Sequence, residues 1–280
     1  MATRRPGALV GRGNTSDIVE WGAGRVAKVL HHGIPAEWAG IEASTIRLVR
    51  AAGLPAPEVH DVVTVGARPG IVMERVTGPS LWELMLAAPA QVPSLTATLV
   101  GLQARLVRTP APDGLSSVVS RLRRQVRRAP MLAPAERSGI ARAVADLPDG
   151  SALCHFDLHP DNVLLGDSGP VVVDWFDAAA GEPAADLARS CVLMDPATAV
   201  GRLRQAPPDV LDRVSREYRG RVVDALGVRP EELDRWRRPL LAARLTEPLP
   251  GHVRRATLRA LRAPASGTDG ADAGRPLTHG

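Results

Sequence analysis

Along the first third of the chain, short apolar runs are broken by glycine-rich turns. Leu9-Val10 leads into the loop Gly11-Arg12-Gly13-Asn14-Thr15-Ser16. Ile18-Val19-Glu20-Trp21 and the run from Arg25 to Leu30 flank Gly22-Ala23-Gly24, which predicts two strands joined by a hairpin turn. Pro35 opens a helix that extends through Ala52, with Gly53 as its stop signal and Pro55 just beyond. Val59 to Val65 and Gly70 to Val76 read as a second strand pair, the latter mostly apolar and therefore buried, closed by Thr77-Gly78-Pro79-Ser80. From Leu81 the spacing becomes helical, over residues 81–88, 93–108, 114–129 and 134–147, with Pro-rich breaks between. Two short strands, Asn162 to Leu165 and Val171 to Val173, flank the turn Gly166-Asp167-Ser168-Gly169. Helices return after Pro183 and run to about Arg262; residues 263–280, rich in Gly, Ala, Asp and Thr without a period, read as a disordered tail.

This layout predicts an α+β fold with a small β-rich N-lobe over residues 1–76 and a mostly helical C-lobe over residues 77–262. The chain's 280 residues suffice for two lobes, or for one domain of generous size, with an ample core. Of its 35 basic Lys and Arg residues, Lys28 is the sole lysine. An ammonium is a compact point charge that reaches a phosphate through a gap too narrow for a planar guanidinium. A glycine loop followed by a strand carrying a lysine is how a protein-kinase-like fold holds ATP.

The formal charge of +5 raises nucleic acid as a partner, but aromatic residues are only 3% of the chain, too few for a base-stacking surface. Arg121, Arg123, Arg124, Arg127 and Arg128 fall within a helical pattern and read as a solvated helix face. No apolar stretch is long enough to span a bilayer, and no apolar core follows the basic segment Met1 to Gly7. Cys154 and Cys191 lie among apolar residues without metal-ligand spacing, as buried free thiols of a reducing compartment would. The expectation is a cytoplasmic protein with neither nucleic-acid nor membrane partners; its oligomeric state is not legible.

The densest motif is Cys154-His155-Phe156-Asp157-Leu158-His159-Pro160-Asp161-Asn162-Val163-Leu164-Leu165, followed by Val171-Val172-Val173-Asp174-Trp175. With Gly53-Leu54-Pro55-Ala56-Pro57, and Gly181-Glu182-Pro183 leading to Asp186-Leu187-Ala188, it resembles the aminoglycoside phosphotransferase and choline-kinase-like family, relatives of the protein kinases. The likeness runs from about Leu9 to Met194. It implies a two-lobed protein-kinase-like fold and an enzyme that uses ATP and Mg2+ to phosphorylate a hydroxyl of a small molecule. On that resemblance Asp157 accepts or orients the acceptor's proton, and Asn162 and Asp174 hold magnesium through oxygen. Lys28 would contact the α- and β-phosphates, with Glu42 pairing it and Glu37 a weaker candidate. Gly11, Gly13 and Ser16 would line the phosphates, Ile18 and Val26 would sandwich the adenine, and backbone groups of Glu74 and Val76 would hold its edge. His155 and Asp186 would support the catalytic loop.

The chain departs from the family pattern at Ser16, in place of a third glycine, and at Phe156 and Asp161, where glycine is usual. Gln103 stands where a leucine-histidine pair is common. None of these removes a phosphoryl-transfer group. A hydrolase metal site of His155, Asp157 and His159 would explain neither the glycine loop nor Lys28. A nucleotide-binding regulatory module without transferase activity would not need the intact set of Asp157, Asn162 and Asp174, and a protein kinase would carry an activation segment after Asp174. The acceptor, whether aminoglycoside-like, amino alcohol or sugar, is less legible. Asp157, Asp161, Asp177 and Glu182 supply acid suited to a cationic acceptor, whereas the C-terminal helices are rich in arginine. Trp175 and Trp236 read as core residues more readily than as stacking platforms.

Overall fold

Five antiparallel strands form the N-terminal sheet in the order β1-β2-β3-β5-β4. They are β1 (Leu9–Arg12), β2 (Ser16–Glu20), β3 (Arg25–Leu30), β4 (Val59–Val65) and β5 (Arg68–Glu74). The computed structural model describes residues 7–13 and 15–263, so the tail expected over 263–280 lies, apart from Ala263, outside the described residues.

Side chains alternate across a strand, which divides β3 between two clusters. Val26 and Leu30 pack with Ile71 and Met73 against Ala39 and Ala43 of α1 (Glu37–Ala51), while Ala27 and Val29 meet Val19 and Val72 on the other face. Lys28 shares the α1 face, in register between Ile18 of β2 and Ile71 of β5. Helical spacing puts Ala39, Glu42, Ala43, Ile46 and Val49 on the buried side of α1, so Glu42 is carried inward with the apolar stripe.

β5 ends at Glu74, two residues before the expected boundary, because the Arg75 amide leaves the ladder to donate to Gly24 O at 2.9 Å. The connecting segment then docks on the second half of the molecule. Leu165 N donates to Pro79 O at 2.9 Å, and a Cβ placed at Gly78 (φ +135) would stand 1.9 Å from Leu165 O. Both the positive φ and the close approach require glycine there. Ser80 caps α2 (Leu81–Ala87) in a capping box with Glu83.

The remaining helices are α3 (Val92–Val107), α4 (Val118–Arg128), α5 (Pro134–Ala145), α6 (Pro183–Met194), α7 (Pro208–Leu226), α8 (Pro230–Arg244) and α9 (Gly251–Arg262). α4 starts four residues later than its pattern predicts, since Ser117 caps it by accepting from Ser120 N. Two small antiparallel pairs complete the fold: β6 (Ala152–Cys154) with β9 (Ala179–Gly181), and β7 (Val163–Gly166) with β8 (Gly169–Val172). The first pair escapes sequence reading because three residues carry no period. Trp82, Trp175, Trp236 and Tyr218 are buried in the core of this half, which gives both Trp175 and Trp236 their expected packing role. The result is the expected mixed α+β architecture, β-rich at the N-terminus and helical beyond it. Among the described residues no helix is long and apolar enough to cross a membrane.

Candidate active site

Lys28 reaches across from β3 to two carboxylates. Its Nζ donates to Glu42 Oε1 and to Asp174 Oδ1, each at 2.7 Å. Lys28 and Glu42 are 3% and 2% exposed, so the pair is worth its desolvation cost only because geometry and partner charge are both right. Burial pulls the Lys28 pKa down, but Asp174 and Glu42 together outweigh it and hold the ammonium above its ordinary value. Burial keeps the Glu42 carboxyl raised in spite of Lys28, and its Oε2 has no hydrogen-bond partner among the described residues. Asp174 faces the cleft with 40% of its side chain exposed. Its surroundings push its pKa up, and the Lys28 ammonium brings it below the usual carboxylate value. The residue after β8 and Val173, Asp174 adopts φ 62, a left-handed turn that asparagine and aspartate tolerate better than other side chains.

Asp157 lies on the loop between β6 and β7. Asn162 Nδ2 donates to the Asp157 main-chain oxygen at 2.9 Å and to its Oδ2 at 3.2 Å. The amide orientation this fixes leaves Asn162 Oδ1 as a free acceptor. Burial, and then the neighbouring Asp177 carboxylate, raise the Asp157 pKa well above its ordinary value, which suits a carboxylate that takes a proton.

The expected supports hold this loop from behind. Asp157 N donates to His155 Nδ1 at 3.2 Å, so His155 carries its proton on Nε2 and donates to Val173 O at 3.1 Å. Burial holds His155 neutral, with a pKa lowered to about 4. Asp186, wholly buried on α6, accepts from Phe156 N at 2.7 Å and from Gln103 Nε2 at 2.7 Å. Tyr218 in turn donates to Gln103 Oε1. Gln103 thus takes a structural place in the network, bonding Asp186 directly. Phe156 is buried at φ 64, with the guanidinium groups of Arg121 and Arg189 5.6 and 5.7 Å from its ring centroid. Arg189 also donates to Phe156 O at 3.1 Å and pairs with Glu247 at 2.8 Å. Sequence reading missed Arg189 and Glu247; the one signal was an arginine set in the apolar stripe of α6.

The residues expected to meet a nucleotide lie on the N-terminal sheet and just beyond it. Gly11 and Ser16 sit on facing strands, and Gly13 N donates to Ser16 O at 2.8 Å, closing the glycine loop. Ile18 packs on the cluster that holds Val26, on the face that carries Lys28. At the connection, Glu74 N is already committed to Glu58 O at 2.8 Å, so the carbonyl of Glu74 is the group left for a base edge, with Val76 half-buried just beyond. Glu37 opens α1 but has no part in the Lys28 pair. Of the acidic residues expected near a cationic acceptor, Asp157 and Asp177 are neighbours, each raised by burial and by nearby carboxylates. Asp161 accepts from Ser80 at 2.9 Å and pairs with Arg202 at 3.2 Å, and Asp177 is paired with Arg121.

Among the described residues, no group of three or more His, Cys, Asp or Glu side chains is placed to hold a metal. Asn162 Oδ1 and the second oxygen of Asp174 are hard donors facing one cleft. That set fits magnesium, which keeps several waters and takes the rest of its ligands from substrate phosphates. Both thiols are free; burial raises Cys154 and pushes Cys191 up to about 12, so neither is a nucleophile at neutral pH.

A glycine loop, a paired lysine and two loops bearing carboxylates, set between a β-sheet and a helical half, define the protein-kinase-like class. Within that class, residues 10–221 match the phosphotransferase enzyme family APH, and the chain belongs to it. It is a small-molecule kinase. Similar solved structures include a thermostable mutant of aminoglycoside phosphotransferase APH(4)-Ia in ternary complex with AMP-PNP and hygromycin B (16% identity, 90% of this chain and 91% of that one, TM-score 0.63). The aminoglycoside-3'-phosphotransferase of type VIII is 22% identical over 84% of this chain and 92% of its own, with TM-score 0.60. APH(3'')-Id from Streptomyces rimosus, bound to ADP and streptomycin, is 17% identical over 86% and 90%, with TM-score 0.55. These are likenesses of fold. No curated protein matches the chain.

Proposed function

We propose that the protein transfers the γ-phosphoryl group of ATP, with magnesium, to a hydroxyl of a small-molecule acceptor. The observation that carries this reading is the convergence on one cleft of Lys28, held 2.7 Å from both Glu42 and Asp174, with Asp157, held by Asn162 at 2.9 and 3.2 Å. Lys28 exchanges Asp174 for phosphate oxygens while Glu42 keeps it in place. Asn162 Oδ1 and Asp174 hold the magnesium ion, which when bound neutralises charge on the transferring phosphates. Asp157 orients the acceptor hydroxyl and takes its proton. The glycine loop with Gly11, Gly13 and Ser16 covers the phosphates, Ile18 and Val26 enclose the adenine, and the Glu74 carbonyl and Val76 backbone meet its edge.

Magnesium-dependent ADP release across a panel of hydroxyl acceptors, with Asp157→Asn as control, tests this. Turnover lost in the variant with nucleotide binding retained is the expected result; undiminished turnover would remove Asp157 from the mechanism and the assignment with it.

A further inference from the structure

Arg123, Arg124, Arg127 and Arg128 of α4 are exposed, as a solvated face requires, but Arg124 and Arg128 also line a cavity with the half-buried Arg121. A cavity of about 780 Å³ opens between α1, α4 and the segment joining α8 to α9, with Phe176 and Asp177 also in its wall. These two residues follow Asp174 and Trp175 directly. Trp38 of α1 stacks on Phe176 with ring centroids 5.0 Å apart, making one wall apolar. At positions i, i+3 and i+7, α4 presents Arg121, Arg124 and Arg128 to the cavity, and Arg254 of α9 joins them.

The charges are unbalanced. Arg121 is committed to Asp177, donating to its main-chain oxygen at 2.6 Å and to its carboxylate at 3.3 Å. Asp177 is the one acidic residue in the described lining. Among the described residues no carboxylate lies within 4.0 Å of Arg124, Arg128 or Arg254, and Arg254 meets only the main-chain oxygen of Glu247 at 3.2 Å. Gln125, beside Arg124, has a buried Oε1 with no partner among the described residues, an acceptor ready for a donor on a ligand. The cavity borders the catalytic loop, since the Arg121 guanidinium lies 5.6 Å from the ring of Phe156, the residue before Asp157.

Guanidinium groups without carboxylate partners repel one another and any cation brought among them, whereas a carboxylate or phosphate accepts their paired N–H groups bidentately. We propose that this cavity is the acceptor subsite and that the acceptor carries an anionic group, carboxylate or phosphate, held by Arg124, Arg128 and Arg254 while its hydroxyl faces Asp157. The proposal rests on the kinase reading above and narrows it away from polycationic acceptors.

The test titrates the full chain, saturated with ADP to occupy the nucleotide side, with malate, with inorganic phosphate, and with streptomycin or hygromycin B. Binding is read from tryptophan fluorescence, since Trp38 and Trp175 line the cavity, and by calorimetry. We expect saturable binding of at least one anion, weakened tenfold or more in the Arg124→Ser/Arg128→Ser double variant, with ADP affinity unchanged and no binding of either antibiotic. Malate binding without phosphate binding identifies a carboxylate acceptor, and the converse a phosphorylated one. Anion binding equal in the variant, silence of both anions, or an antibiotic bound more tightly than either would overturn the proposal and leave the kinase reading intact. Failure of ADP itself to bind would instead sink the kinase reading.

Discussion

The side-chain amide of Asn162 donates to two oxygens of Asp157 at once, its main-chain carbonyl at 2.9 Å and its carboxylate at 3.2 Å. The residue assigned to the metal is therefore also a clamp on the residue assigned to the proton. Asn162→Asp would replace a donor by a second carboxylate. The Asp157 pKa, already raised by burial and Asp177, would rise further. Because the base must be ionised, the acid limb of the kcat/KM profile should move to higher pH, and activity at neutral pH should fall at least tenfold. A profile with an unmoved acid limb would separate the two residues.

At Phe156 the usual order of alanine and glycine should invert. Its φ of 64 costs a non-glycine residue about 1 kcal/mol, while its buried ring supplies about 3 kcal/mol or more of packing. Phe156→Ala loses the ring and keeps the strain; Phe156→Gly loses the ring and relieves it. Denaturant unfolding should find both variants less stable than the native chain, with glycine the better of the two by about 1 kcal/mol.

Gln103 acts on the catalytic loop through Asp186, whose other oxygen takes the Phe156 amide at 2.7 Å. Burial already lifts Asp186 to about 6, and Gln103→Leu would remove the donor that opposes this. We expect kcat to drop several-fold with the nucleotide KM little changed, and Gln103→His, which can donate to the same oxygen, to restore most of it. Equal losses in both variants would reduce Gln103 to packing.

The buried histidines set an acid limit on stability. Burial lowers His155 to about 4 and His159 to about 3, from an ordinary 6.5. The unfolded chain therefore binds protons first, so the stability these residues contribute is complete above pH 6.5 and declines as pH falls toward 4. Asp186, raised to about 6, works in the opposite direction, as do the raised carboxyls of Asp157, Glu42, Asp161 and Asp177, so the histidine contribution is read from a variant. On going from pH 7.5 to pH 4.5 the urea midpoint of His159→Asn should fall less, or rise more, than that of the native chain.

Much of this was legible in the chain because phosphoryl transfer depends on a few charged residues at fixed offsets. The Asp157-to-Asn162 spacing, the lone Lys28 and the aspartate ending an apolar strand announce themselves without a structure. Glu42 was readable too, as the first-helix partner of Lys28 that the family resemblance implies, ahead of Glu37. What could not be read were relations between distant segments. Arg189 and Glu247 meet beneath Phe156 only after α6 and the α8–α9 segment have packed. The α4 arginines read as a solvated face, and only the fold shows that Arg121, Arg124 and Arg128 share a cavity with α1 and Phe176. Of the acidic residues near the motifs, Arg202 claims Asp161 and Arg121 pairs with Asp177, while Asp157 keeps Asp177 as a neighbour. Sequence spacing shows which charges are present, and the packing decides which remain unspent.

The contact between Gly78 and Leu165, too close for even a methyl group, has a mechanical meaning. β7, which carries Leu165, begins one residue after Asn162, so the connecting segment is riveted to the catalytic loop. On the proposed reading, Glu74 ends β5 and rides on the sheet with Lys28, so the adenine edge and the grip on the phosphates move as one body, and any rocking of the sheet against the catalytic loop falls on the short stretch between Arg75 and Gly78.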